Sequence, residues 1–207
     1  LQQQDRLAGV GELSAGLAHE IRNPLASIRS AMDELRQSLD SPKLVERLAN
    51  IAIRESDHLN EIVTGFLDFA REPSRRREVL DVREPVAEVC RQLERKYQES
   101  KSLRIALNLT EEPCLVLGDH TQLRQVFINL AQNGVEAMDQ HGSLHISVQC
   151  LRGPVEVRID DEGPGIPPDK VARIFEPFYT EKERGVGMGL AVCMRIITAH
   201  DGTIQVA

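Results

Sequence analysis

From Val10 onward the apolar residues recur at Val10, Leu13, Leu17, Ile21, Leu25, Ile28, Met32, Leu35 and Leu39, in alternating steps of three and four. That spacing keeps one face of an α-helix apolar along its whole length and predicts a single long helix. Ser41 and Pro42 follow as an N-cap and a first-turn proline, so a second helix starts there. Its stripe runs Leu44, Leu48, Ile51, Leu59, Ile62, Phe66 and Phe69. Two helices of this length joined by so short a turn predict an antiparallel hairpin. One apolar stripe per helix is more than a lone hairpin covers, so a homodimer is expected, with two hairpins forming a four-helix bundle.

The pattern changes at residues 71–78, REPSRRRE, which hold a proline, three arginines in a row and no large apolar side chain. This is read as a linker, placed at 73–78, between a hairpin domain over 1–72 and a second domain over 79–207. The basic run Arg75 to Arg77 is expected to be solvated. Mixed periods then predict a helix near Glu84–Gln98 and strands near Leu103–Leu109 and Cys114–Leu117. Asp119 with Gln122 three residues on has capping-box spacing and opens a helix to about Met138. Period-two runs predict strands at Leu144–Cys150 and Val155–Ile159. Residues 163–189 are rich in glycine and proline and read as a long functional loop. A helix over Leu190–His200 follows, and a strand begun at Thr203–Val206 breaks off, so the domain's last strands are expected to be truncated. The fold class is therefore α+β: a helical hairpin followed by an α/β two-layer sandwich.

Composition sharpens this. The chain has 207 residues, 41% hydrophobic and 28% charged, with only 3% aromatic and no Trp, so aliphatic side chains must fill its core. The net charge of −7 argues against a nucleic-acid or anionic-membrane binder, which would need clustered Lys and Arg. Cys90, Cys114, Cys150 and Cys193 stand far apart with no CxxC pair; neither a zinc site nor a disulfide framework is expected, and a reducing, cytoplasmic compartment is. No apolar run is long enough to span a bilayer.

The first helix carries GLAHEIRNPLAS over residues 16–27. His19 lies two positions from both Leu17 and Ile21, so it faces away from the apolar stripe, and Asn23 shares its face four residues on. Ala15, Gly16 and Ala18 leave room for a docking partner. Pro24 lacks the N–H that would bond the Glu20 carbonyl, so a kink is expected one turn after the histidine, at a cost of roughly 3 kcal/mol in a plain helix. The other histidines, His58, His120, His141, His145 and His200, read as ordinary surface residues. HEIRNPL on an exposed face, followed by a helical hairpin, closely resembles the phosphoacceptor box of the dimerising sensor histidine kinases of two-component signalling. The resemblance implies that His19 accepts a phosphoryl group, that Glu20 orients the ring and takes its proton, and that Asn23 positions water to dephosphorylate a partner's aspartate.

A nucleotide must then be held elsewhere, and without GxxxxGK[ST] a P-loop is excluded. The helix after Asp119 places Asn129 and Asn133 on one face, and a carboxamide oxygen is a hard ligand suited to Mg²⁺. DDEGPGIP over 160–167 puts an acid at a strand end before a glycine turn. GVGMGL over 185–190 leads glycines into a helix N-terminus, a natural phosphate cradle. N…N on a helix, DxGxGI after a strand, a lid with FEPFYT and GxGxGL together resemble the four boxes of the Bergerat-type ATP-binding domain. The resemblance implies that Asp161 receives the adenine amino group and Asn133 holds Mg²⁺. Asn129 would line the nucleotide site, and Gly163 and Gly165 would admit backbone to the nucleotide. Gly185, Gly187 and Gly189 would wrap the phosphates of ATP, and Phe175 and Phe178 would anchor the lid. Lys182 either reaches a phosphate or is a solvated loop lysine. Val186 and Met188 replace the usual Thr and Leu, and Gly134 replaces the usual Ala, which is expected to loosen its helix.

Gyrase-like, chaperone and mismatch-repair ATPases share this fold but carry a glutamate at the position of Asn129. Asparagine cannot serve as that base, which favours transfer to His19. A kinase-inactive scaffold or phosphatase module that docks a response regulator is the alternative. The implied partners are a second copy of the chain, the receiver domain of a response regulator, and an upstream sensor domain missing from this chain, since LQQQDRLAGVGELSAG reads as a signal helix already in progress. NGVEAM and the short lid resemble nitrogen-regulatory sensors.

Overall fold

The structure, a computed structural model, describes residues 2–37, 41–71, 76–150, 153–182 and 185–206, with side chains from residue 16 onward. It divides into two compact units: residues 1–71 with 176–188, and residues 72–175 with 189–207.

The first unit is the expected hairpin of α1 (Gln2–Gln37) and α2 (Pro42–Ala70). Along α2 the stripe is buried at Leu48 and Ile62 and half-buried at Leu44, Ile51, Leu59, Phe66 and Phe69. Helix α1 runs through Pro24 without interruption, and the proline is buried. Packing against α2 offsets the lost N–H bond, so the fault persists as one helix. Ser41 occupies the N-cap with extended backbone, yet its side chain makes no capping bond; Pro42 holds the first turn, and the Val45 N–H donates to the Ser41 carbonyl at 3.0 Å. The turn at Leu39, the side chains of Val10 and Leu13, and linker residues 73–75, with Arg75, lie outside the described residues.

The second unit holds β1 (Glu78–Asp81), α3 (Arg83–Lys96), β2 (Leu103–Leu109), β3 (Leu115–Gly118), α4 (His120–Ala137), β4 (Gly142–Cys150), β5 (Val155–Asp161) and α5 (Gly189–Ala199). Strand β4 is central: β2 pairs with it in parallel, Leu103 opposite Gly142, and β5 antiparallel, Leu144 opposite Asp161. Leu144, Ile146 and Val148 of β4 are buried while His145 and Gln149 are exposed, the alternation of a sheet covered on one face. Against that face lie Val86, Val89 and Leu93 of α3, Val126, Ala131 and Val135 of α4, and Val192 and Ile196 of α5, all buried. Each fully buried aliphatic side chain contributes about 1.5–3 kcal/mol. A two-stranded ribbon of β1 and β3 stands apart from this sheet.

Four expectations are corrected. Residues 78–81 form β1, which pairs antiparallel with β3 through Val79 opposite Leu117; a four-residue strand is too short for a visible period of two. Thr203–Val206 makes no ladder among the described residues. Cys114 and Cys150 are joined by a disulfide across 36 residues, their Cα atoms 5.6 Å apart. Sheet pairing carries the end of β4 to the residue before β3, a proximity invisible in linear spacing; a reducing compartment therefore does not follow from the cysteines. Arg77, read as a solvated linker residue, bonds Asp201 at 2.8 Å and the Ala199 carbonyl, a cation at the C-terminus of α5 where the helix dipole favours it.

Asp81 bolts the ribbon to the domain. Its carboxylate accepts from the Arg83 side chain at 2.6, 2.9 and 3.1 Å and from the Arg83 and Cys114 backbone N–H groups. The Arg83 side chain also reaches the Thr110 and Glu111 carbonyls. The guanidinium holds the Asp81 carboxyl below its ordinary value of 3.8, against a smaller opposing effect of burial.

Candidate active site

On the hairpin, His19 and Asn23 are exposed and Glu20 is half-buried, as the helical spacing requires. Glu20 and Asn23 open onto one groove of about 470 Å³, together with Pro24 and Ser27 of α1 and Arg54, Glu55 and His58 of α2. An acid, a carboxamide and a hydroxyl thus meet a guanidinium and an imidazole one turn from the histidine. The Nδ1 atom of His58 is buried without a hydrogen-bond partner, and the Glu61 carboxylate stands 3.9 Å from it.

The lid segment packs on the same hairpin. A Cβ on Gly16 would stand 3.3 Å from the Phe178 ring, and one on Gly65 would stand 3.2 Å from Met188. The room expected at Gly16, one turn before His19, is therefore occupied by the chain's own Phe178. Phe178 has φ +65°, and its N–H donates to the carbonyl of Gly187, itself at φ +67°. Gly187 is required there, because a Cβ would meet the Phe178 carbonyl carbon at 2.5 Å. Lys182 is exposed on this segment, with its backbone N–H bonded to the Thr180 hydroxyl at 3.1 Å. Gly185 and Gly187 belong to this unit; Asn129, Asn133, Asp161, Gly163, Gly165, Phe175 and Gly189 belong to the other.

In the second unit α4 presents Asn129 and Asn133, both half-buried. Asp119 caps α4, its carboxylate accepting from the Gln122 N–H at 3.0 Å. The expected box is half closed, since the Gln122 carboxamide oxygen is buried without a partner. The Asp119 N–H donates instead to Nε2 of His200 at 3.0 Å, while Nδ1 of His200 lies 2.8 Å from the Ile196 carbonyl. That carbonyl accepts the Nδ1 proton and fixes the neutral tautomer. His200, read as an ordinary surface residue, ties the end of α5 to the start of α4.

Asp161 ends β5. Its Oδ1 accepts from the Gly163 N–H at 2.9 Å, which leaves Oδ2 available to a ligand amino group. Gly163 is needed because a Cβ there would come 2.6 Å from that same Oδ1. A Cβ on Gly134 would stand 3.2 Å from Asp161 Cβ, 3.3 Å from its Oδ2 and 2.9 Å from Leu144 Cδ1. Gly134 therefore lets the carboxylate rest against α4 beside Asn133. The departure expected to loosen the helix is a point of close approach. Gly165 has φ +73° with open space around it, and Gly189 starts α5 with the Asn129 Nδ2 at 4.0 Å from where its Cβ would be.

Residues 10–75 match the His Kinase A phospho-acceptor domain, and residues 118–207 match the histidine kinase-, DNA gyrase B- and HSP90-like ATPase family. The chain belongs to the sensor histidine kinases. Histidine kinase AdeS of Acinetobacter baumannii has a similar solved structure, with TM-score 0.66 and 30% identity over 90% of this chain and 89% of that one. Histidine kinase ThkA, crystallised with response regulator protein TrrA, matches with TM-score 0.80 and 30% identity over 96% of this chain and 57% of that one. Sensor histidine kinase ZraS of Klebsiella oxytoca is 33% identical over 206 residues, 98% of this chain but only 44% of its own length. The chain thus spans less than half of that curated relative.

Sequence reasoning missed His58, Cys193 and His200. His58 had a signal, since Arg54 and His58 are four apart on α2 and share a face. Cys193 and His200 had none, because their partners lie 67 and 81 residues away. Burial pushes the Cys193 thiol up to about 12, against a hydrogen bond from Asn129 that lowers it. Among the described residues no helix is long and apolar enough to cross a membrane.

Proposed function

We propose that this chain transfers the γ-phosphoryl group of ATP to His19 and passes it to an aspartate on the receiver domain of a response regulator. The observation that carries the reading is the exposed His19 beside Glu20 and Asn23, on a chain whose ATPase-like half has Asn129 on α4 where the related ATPases carry a glutamate. The unprotonated His19 nitrogen attacks the γ-phosphorus; the N–P bond forms as the bond to the bridging oxygen breaks, and ADP leaves. The ring proton passes to Glu20. Positioning and charge neutralisation supply the rest of the barrier reduction. On transfer, the N–P bond breaks as a receiver carboxylate oxygen takes the phosphoryl group.

Asp161 Oδ2 accepts from the adenine amino group, and Gly163 and Gly165 admit the nucleotide to the backbone. Gly185, Gly187 and Gly189 are each assigned to the phosphates, and Lys182 of the lid segment to a phosphate oxygen. The Asn133 oxygen is a hard donor for Mg²⁺, which neutralises phosphate charge when bound with ATP. The groove at Glu20 and Asn23 fits a receiver surface, as the ThkA complex with TrrA suggests, and Asn23 there positions water for hydrolysis of the aspartyl phosphate. Leu25, Met32, Ile53, Val63 and Leu67 are 40–60% exposed on the hairpin, an apolar surface suited to a homodimer. An upstream sensor domain sets the balance of the two activities, and the chain acts as a cytoplasmic portion of that sensor.

The test is incorporation of label from γ-labelled ATP with Mg²⁺ into the wild type, His19→Gln and Asn133→Ala. Acid-labile, base-stable label in the wild type alone is the expected result. Label persisting in His19→Gln refutes the nucleophile. A dark wild type that binds ATP and strips phosphate from a regulator points to the scaffold or phosphatase module.

A further inference from the structure

The disulfide of the second unit joins parts that no ladder joins. Cys114 immediately precedes β3 of the ribbon and Cys150 ends β4 of the main sheet, and ribbon and sheet share no strand pairing among the described residues. The two sulfurs are placed unequally. Cys114 has no free surface, whereas Cys150 is exposed, so a thiol from solution meets Cys150. Each sulfur also faces a backbone carbonyl oxygen of the loop before β3: Cys114 that of Glu112 at 3.8 Å, Cys150 that of Pro113 at 3.6 Å. A disulfide has no hydrogen to give them, but two thiols do. The reduced pair thus has its acceptors already in place. Nor do the cysteines drift apart once the bond opens, because their backbones are held without it. The Cys114 N–H donates to Asp81 Oδ1 at 3.2 Å and its carbonyl accepts from the Val82 N–H at 2.9 Å, while Cys150 stands opposite Val155 in the ladder of β4 and β5.

We propose that Cys150 is a thiol-exchange site whose reactant is a dithiol, and that exchange there makes the tie between ribbon and main sheet reversible. One thiolate of the dithiol attacks the Cys150 sulfur; a new S–S bond forms to it, the Cys114–Cys150 bond breaks, and Cys114 leaves. The second thiolate of the dithiol then attacks its own partner sulfur in the mixed disulfide and expels Cys150. Two electrons pass to the protein, the two protons released by the dithiol end on the two cysteine sulfurs, and the dithiol departs as a cyclic disulfide. A monothiol stalls after the first step. Cys114, held beside the mixed disulfide by its backbone bonds, attacks the Cys150 sulfur and ejects it. Proximity of the buried partner therefore selects the class of reactant, and the state of the bond sets how firmly β1, the first strand after the linker, is fastened to the rest of the domain.

The experiment treats the oxidised full chain, without denaturant, with dithiothreitol or with glutathione at equal thiol concentration, traps free thiols with iodoacetamide and maps them by mass spectrometry. Cys90 and Cys193 are buried and stay silent. Dithiothreitol is expected to open the bond, with Cys150 alkylated about tenfold or more faster than Cys114, while glutathione leaves it closed. Thermal scans should show a lower Tm in the reduced chain, regained when the dithiol is removed and oxidised glutathione closes the bond again. In Cys114→Ser, oxidised glutathione is expected to form an adduct at Cys150; in Cys150→Ser it should form none at Cys114. A bond that resists dithiothreitol until the chain unfolds is a structural staple and overturns the proposal. So do equal reduction by both reagents, an adduct on Cys114, an unchanged Tm, a reduced chain that does not recover its bond, and a wild type in which oxidised glutathione never joins Cys114 to Cys150.

Discussion

Gly134→Ala tests the packing between α4 and the end of β5. On helix propensity alone the change stabilises α4 by about 1 kcal/mol. The new methyl, however, would stand 2.9 Å from Leu144 Cδ1 and 3.2 Å from Asp161 Cβ, each well inside ordinary carbon contact. Leu144 has no free surface and cannot retreat, whereas Asp161 is exposed and can. Overpacking costs about 1–3 kcal/mol, so the two effects nearly cancel or leave a net loss of up to about 2 kcal/mol. The displacement falls on the Asp161 carboxylate, whose charge-assisted bond to a ligand amino group is worth about 1.5–3 kcal/mol. ATP affinity is therefore expected to drop about tenfold or more, with Tm unchanged or lowered by up to about 8 °C. Calorimetric titration with ATP beside a thermal scan reads both. A Tm raised by several degrees with ATP affinity unchanged would refute the reasoning, since it would mean that the methyl fits and Asp161 does not feel it.

Asp81→Asn should show its effect through pH. The folded carboxyl is held below 3.8, so its contribution is fully present above the unfolded value and is lost as pH falls through the folded one. Thermal scans should find the variant less stable by a constant margin from pH 5 to 7, with the gap closing below about pH 4; a gap that widens in acid contradicts the assignment. His200→Phe removes the acceptor of the Asp119 N–H and is expected to cost about 1–3 kcal/mol, seen as a lower Tm, with His200→Gln intermediate; equal losses in both variants would mean that ring packing dominates. Opening the Cys114–Cys150 bond with a thiol reductant frees a loop of 36 residues and should cost about 3–4 kcal/mol on chain entropy, checked by denaturant titration of oxidised and reduced protein. Gly16→Leu should displace Phe178 from α1 and slow labelling of His19 about tenfold or more through lost positioning; an unchanged rate shows the contact to be idle.

The long periodic elements were legible because their signal is local and repeated. Helices α1 and α2 follow from apolar steps of three and four, and β2 from its span of seven residues, Leu103–Leu109. The spacing of His19, Glu20 and Asn23 survives folding because a helix preserves it. Strand β1 was not legible, since its four residues alternate too briefly to stand out from a linker. The roles of Gly134, Cys193 and His200 depend on neighbours brought close only by the packing of α4 against β5 and α5. Gly134 misled for the same reason: propensity sees a weak helix former, and only the approach of Asp161 shows why a side chain is excluded. The disulfide was hidden likewise, because register decides which cysteines meet.

The lid segment 176–188 groups with the hairpin although the whole of 72–175 intervenes. Helices α1 and α2 contact each other across a short loop and can pair on the microsecond scale, as local contacts do. The first unit is nevertheless finished only after residue 188 has been made, whereas most of the second unit's strands and helices emerge earlier. During synthesis at about 5–20 residues per second, the surface of α1 around Gly16 therefore stands open for several seconds before Phe178 arrives. Within residues 1–188 vectorial folding can start the hairpin and must return to it some hundred residues later, so the surface of α1 around Gly16 forms early and closes late.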